Sequence, residues 1–312
     1  MRAACLFCLK VPLMSVAERN LTLGSDIKGT SDTNPKLQSF ASLIAVTSDW
    51  EITHISENIG EFLDLDSSIL GHTLDQVLLD DAVHEIRGVL NATAGHGGVG
   101  RLLGSELRRG YPHFDLTIHE NAHGFVIEIE RGEPLSKIDD IGLVRGLMVR
   151  VKQSATSEEA AEKAARSIRA LTGFDRVTVC RLRQDGAADV VSEASMPGIT
   201  SLSEVGLSAH DVSAIGQAHH QQLVADVDAA PVPVMARPGC APLDLLLAIS
   251  IEPTAAHLDL LRAHGAKAAL TVPVVRNDRV AGLILCHATK PVRAGFRTRM
   301  LVDLFVDLYA YE

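Results

Sequence analysis

Residues 171–182 read LTGFDRVTVCRL, and two periodicities meet there. Gly173 closes a helical stretch, because glycine enters the left-handed conformation of a helix end at low steric cost. Upstream, residues 139–172 are largely helical. Thr156 or Ser157 serves as the cap, Glu158 and Glu159 sit in the first turn, and Ala161, Ala164, Ile168 and Leu171 form an apolar stripe at three-to-four spacing. Downstream, RVTVCRL (176–182) and DVVSE (189–193) read as strands about an Asp185-Gly186 turn. A loop-and-helix stretch covers 196–222, and Pro231, Pro233 and Pro238 mark an irregular insertion. A helix over 254–263 precedes two strands, ALTVPVV and VAGLILCH, joined through Asn277-Asp278, and a last helix spans 297–308.

The first half repeats the theme with other elements. ASLIAV (41–46), a Ser48-Asp49 turn and EITHIS (51–56) read as paired strands. NIGEFLDL (58–65) has helical spacing of Ile59, Phe62 and Leu63, and residues 84–90 are helical as well. YPHFDLTIHE (111–120) and GFVIEIE (124–130) alternate as strands. The pattern predicts an α+β protein of two antiparallel-sheet domains in tandem, each flanked by helices. The expected division is an N-terminal extension over 1–20, a first domain with a polar arm over 21–133, and a second domain over 134–312 with connecting and terminal helices. Residues 1–16 lack the long apolar core of a secretory signal, so Met14 reads as an alternative start.

Composition narrows the function. The 312 residues are 46% hydrophobic and 22% charged, enough apolar material for real cores. The net charge of −10, with no long basic run, argues against nucleic-acid binding. No apolar stretch is long enough to span a membrane. The odd cysteine count (Cys5, Cys8, Cys180, Cys240 and Cys286) fits a reducing compartment, the cytoplasm, rather than a disulfide framework. Cys5-x-x-Cys8 lacks a partner pair for zinc, and Cys180 and Cys286 sit in apolar strands as small hydrophobes. Gly95–Gly100 matches G-x-G-x-x-G but follows a helix, not the strand a dinucleotide loop needs. His219-His220 reads as a solvated pair. No catalytic constellation is present, and no enzymatic activity is expected.

The second domain resembles the GAF domain of bacterial phytochromes. The resemblance runs through LTGFDRVTVCRL, then VADVDAAPVPV (224–234), PTAAHLDLLRAHG (253–265) and GLILCH (282–287), in the family's order. The first domain then corresponds to the PAS domain of the same photosensory module, so that the likeness covers about residues 20–312. It implies a linear tetrapyrrole (bilin), such as biliverdin, in the GAF pocket. Asp211 matches the aspartate whose main-chain carbonyl faces the pyrrole nitrogens. His257 matches the histidine near the inner rings, and His287 the one that meets the isomerising ring.

Several positions depart from that pattern. The bilin-attaching cysteine falls at Asp26, so any pigment would be held non-covalently. The family's pocket tyrosines are Cys180 and Leu260, its tryptophan is Ala281, and a pocket arginine is Ile251. Lys267 and Thr271 stand where a cation and a hydroxyl could partly meet the pigment's carboxylates, which are costly to bury unpaired. Loss of large aromatics leaves a wider cleft or a collapsed one. Two functions follow: a phytochrome-like photosensor, or a degenerate PAS–GAF signalling module with another ligand or none. Either is expected to act through a homodimer made by the GAF helices and through a signalling protein in trans. In the last helix Leu301, Leu304, Phe305 and Leu308 form a stripe that packs either on its own sheet or on a partner.

Overall fold

A computed structural model describes residues 35–93, 98–134, 139–204, 206–216 and 220–312. The C-x-x-C pair, Met14, Asp26, the N-terminal extension, most of the arm, Gly95–Gly97 and His219 lie outside the described residues.

The first sheet contains β1 (Lys36–Leu37), β2 (Ala41–Thr47), β3 (Ile52–Ser56), β4 (Gly100–Ser105), β5 (Phe114–Asn121) and β6 (Gly124–Arg131). One face packs on α1 (Ile59–Leu63) and α2 (Asp80–Thr93) through Ile44, Ile55, Phe62, Ile86, Phe114, Ile127 and neighbours. The alternation seen in GFVIEIE is the cause: Ile127 and Ile129 face this core while Glu128 and Glu130 face the other way.

α3 (Asp140–Lys152) and α4 (Ser157–Thr172) then lead to the second sheet. Thr156 Oγ1 accepts from Glu159 N at 3.1 Å, and Gly173 closes α4 at φ +71°. The second sheet comprises β7 (Arg176–Leu182), β8 (Ala188–Ser195), β9 (Gln222–Val224), β11 (Ala268–Arg276) and β12 (Arg279–Ala288), in the antiparallel order β8-β7-β12-β11-β9. Asn277 and Asp278 adopt φ +52° and +58°, the left-handed pair of a tight hairpin turn. One face of this sheet packs on α3, α4 and the terminal helix α7 (Phe296–Tyr309). The opposite face carries α5 (Ala209–Ile215) and α6 (Ala255–Ala263).

The proline-rich insertion is not irregular throughout. Val232–Ala236 forms β10, which leaves the second unit and joins the first sheet, giving the order β1-β10-β3-β2-β6-β5-β4. Pro233, which has no N–H to donate, uses its carbonyl to accept from Glu57 N at 2.9 Å. Residues 232–251 thus form a strap lying on the first sheet. Residues 36–38 are gripped from both edges, by Val232 and Pro233 on one side and by Ile251 on the other. Gln38 Nε2 donates to Leu223 O (2.6 Å) and Ile251 O (3.1 Å), and its Oε1 accepts from Ala225 N (3.0 Å).

The stripe on α7 divides. Leu301 and Phe305 enter the core, whereas Leu304 and Leu308 are 38% and 40% exposed. Among the described residues no helix is long and apolar enough to cross a membrane.

Candidate functional site: the cleft face of the second sheet

Strand alternation sends Val177, Val179, Ile284 and Cys286 to the helix-covered core. The intervening residues form the opposite face. The register sets Arg176 opposite His287, Thr178 opposite Leu285 and Cys180 opposite Leu283, while Thr271 lies across Leu285 from β11. This floor is roofed by α5 and α6, which contribute Val212, Ile215 and Leu260.

The polar end of the floor centres on Arg176 and His287, both buried. Arg176 Nη2 donates to His287 Nδ1 at 2.8 Å, and Nη1 donates to Thr200 O at 2.5 Å. A guanidinium can only donate, so His287 holds its own proton on Nε2. Burial, reinforced by the nearby Arg176 charge, holds His287 well below its ordinary value and keeps it neutral. The His264 ring lies 6.5 Å from that of His287. Arg176 Nε is buried without a hydrogen-bond partner among the described residues. Arg176 and His264 were not among the residues marked from sequence, although both lie in motif stretches. The available signal was register: Arg176 heads the alternation that ends at Cys180.

The residues marked from sequence fall in different places. His257 is buried on α6, where burial alone pushes it down to about 4. Thr271 is buried on the floor. Cys180 and Leu260 pack together in an apolar cluster with Leu207, Val212, Ile215, Leu283 and Leu285. Burial, with Glu193 nearby, pushes the Cys180 thiol up to about 12. Asp211 turns its carboxylate onto its own helix start: Oδ2 accepts from Ser208 N (2.8 Å) and Ser208 Oγ (2.7 Å), closing a capping box. Lys267 sits outside the cleft, where Nζ contacts Asp228 at 2.6 Å. His220 is not on open surface. It is half-buried and lines a cavity of about 40 Å³ between the two units, beside Gln221, Arg101 and Arg299.

Among the described residues, roof and floor thus share one apolar cluster. Cys180, Leu283 and Leu285 of the floor pack with Val212, Ile215 and Leu260 of the roof. The space left beside His287 and His264 is about 10 Å³, room for about one water. Sites for ligands of several rings run to about 300–1,000 Å³. In the conformation described, roof and floor side chains touch across this face, and the lysine expected near the pigment's carboxylates is paired with Asp228.

The family models locate the chain. The GAF domain model matches residues 156–310, and the PAS fold model matches residues 33–132. The bacteriophytochrome of Pseudomonas aeruginosa is 24% identical over 280 residues, 86% of this chain and 38% of that protein. The bacteriophytochrome of Xanthomonas campestris pv. campestris is 30% identical over 166 residues, 50% of this chain and 26% of that protein. Cyanobacterial phytochrome B of Nostoc is 24% identical over 209 residues, 64% of this chain and 28% of that protein. The chain thus spans between 26% and 38% of the length of these relatives. Among solved structures, the chromophore-binding domain of an unusual bacteriophytochrome from R. palustris superposes with a TM-score of 0.77 at 23% identity, covering 89% of this chain and 94% of that one. That of Stigmatella aurantiaca phytochrome P1 gives 0.78 at 20% identity, covering 88% and 95%. At such identity these two establish the fold. With the two models matching in sequence order along most of its length, this chain belongs to the phytochrome-like PAS–GAF proteins.

Proposed function

We propose that this chain is a phytochrome-like photosensory module whose GAF cleft is the receptor site, and that its ligand class is a linear tetrapyrrole such as biliverdin, held without a thioether. The observation that carries the reading is the Arg176–His287–His264–His257 cluster at the cleft, set within the PAS–GAF order. Residues 21–133 and 134–312 act as its two units after a short extension over 1–20. It works in the cytoplasm, without enzymatic activity of its own.

Uptake requires the roof to lift from the floor. Each aliphatic side chain uncovered in the process costs about 1.5–3 kcal/mol, so an opened cleft is populated only when an apolar ligand refills it. Output passes to a signalling protein in trans and through a homodimer built on α3 and α7. There Ile141 and Val149 are 58% and 54% exposed, along with Leu304 and Leu308.

The test is an absorption spectrum of the purified chain with biliverdin, before and after red illumination. A red-shifted band that red light alters reversibly is the expected result, with no covalent adduct on a zinc-stained gel. A spectrum identical to free pigment overturns the photosensor reading. The closed apolar cluster favours the second reading in that event: a pigment-free PAS–GAF module that signals by protein contacts alone.

A further inference from the structure

The joint between the strap and the first sheet is a layer of buried polar groups. On its outer face β6 places Glu128 and Glu130 two residues apart, both at most 1% exposed. Glu130 is paired with Arg299 of α7, and Arg293 lies 3.8 Å away. Among the described residues no cation is bonded to Glu128. Three donors of the strap hold it: Ile249 N (3.2 Å), Ser250 N (2.9 Å) and Ser250 Oγ (2.5 Å). Its cross-strand neighbours are Thr117 of β5 and Leu43 of β2. Two residues beyond Thr117, His119 is 1% exposed, and neither ring nitrogen has a hydrogen-bond partner among the described residues. The charged or titratable groups acting on it are Asp244 of the strap and His220. Buried ionisable groups without counter-ions are rare, because desolvation penalises the charged form.

We propose that this joint is a two-sided proton-sensitive clasp: the strap sits firmly when Glu128 is protonated and His119 neutral, and ionising the first or protonating the second loosens it. When protonated on Oε1, the Glu128 carboxyl can donate to Ser250 Oγ while Oε2 still accepts from Ile249 N.

The direction at each group follows from linkage. Burial, aided by Glu130, pushes Glu128 up to about 7, and lifting the strap returns it toward its ordinary value near 4.5. The lifted form therefore holds fewer protons between those values, and rising pH favours it. Burial pushes His119 down to about 4 against its ordinary 6.5, so the lifted form holds more protons there and falling pH favours it.

Hydrogen–deuterium exchange of the segment 245–251, expressed as protection factors so that intrinsic exchange is removed, reads the opening directly. Between pH 6 and pH 8 the two groups oppose each other, and opening of the unmodified chain rises about two- to threefold. His119→Leu removes the acid arm, and opening then rises about tenfold over the same range. Glu128→Gln leaves His119 as the titrating group beside this segment, while buried His54 of β3 meets the strap farther along at Ala241, and opening falls about fourfold, reversing the sign. Circular dichroism checks that each variant folds. A Glu128→Gln profile that matches the parent overturns the clasp. Should that variant not fold, a His119→Leu profile that stays flat from pH 6 to 8 overturns it equally.

Discussion

Replacing Arg299 with Met isolates the energetics of the buried ion pair that ties the terminal helix to the first sheet. Arg299 is 4% exposed and Glu130 1%. The guanidinium bonds both carboxylate oxygens, with Nη1 to Oε2 at 3.2 Å, and Nη1 also donates to Ala294 O at 2.6 Å. Removing it strands a carboxylate whose nearest remaining cation is Arg293 at 3.8 Å. Breaking such a pair from one side costs about 3–5 kcal/mol, since the surviving charge stays desolvated. For a chain of this size that is a fall of roughly 5–15 °C in melting temperature. Replacing both residues with Met removes the stranded charge and fills similar volume, so the double variant is expected within about 1–2 kcal/mol of the parent. Glu130→Met strands the Arg299 charge at a similar cost, so the coupling between the two sites is at least about 4 kcal/mol. Urea unfolding followed by circular dichroism, over the full double-mutant cycle, measures each term. A loss below about 1 kcal/mol in Arg299→Met, or a double variant as unstable as the two singles added together, refutes the reasoning.

Three further outcomes follow from packing. Gly282→Ala would place a methyl 2.3 Å from the Cys180 carbonyl oxygen; backbone cannot yield there as a side chain would, and a loss of about 2–3 kcal/mol is expected in thermal melts. In a Cys5→Ser, Cys8→Ser background, a thiol reagent at pH 8 should label Cys240 at once. Cys180 and Cys286, whose thiols burial pushes up, should react only as the chain opens; prompt labelling of Cys180 would show that the cleft roof lifts easily. Leu304→Glu with Leu308→Glu should convert a dimer to a monomer in sedimentation with little change in melting temperature, because both side chains are already partly exposed. A variant that remains dimeric places the contact elsewhere.

Much of the secondary structure could be read from periodicity, because each element buries one face. The Thr156 cap, the Gly173 stop and the Asn277-Asp278 turn are local devices, and they sit where local chemistry puts them. β10 escaped because Pro233 argues against a strand, and its pairing partners lie nearly two hundred residues away. GFVIEIE read as an alternating strand, and alternation alone does not say what covers each face. Its two glutamates are in fact buried, since the strap and α7 cover that face and supply their partners. The site behaved similarly. His257 and His287 could be marked from motif position and do flank the cleft, but Arg176 emerged only from the β7–β12 register.

From the order of residues alone came the two antiparallel-sheet units, their helices, the family likeness and the loss of the aromatic and cationic side chains that would line a pigment pocket. Whether that loss left a wide cleft or a filled one was decided only in three dimensions. Leu260 from the roof and Cys180, Leu283 and Leu285 from the floor meet across a gap whose width depends on how α5 and α6 settle on the sheet. Packing of that kind is a property of pairs distant in sequence, so no local pattern encodes it.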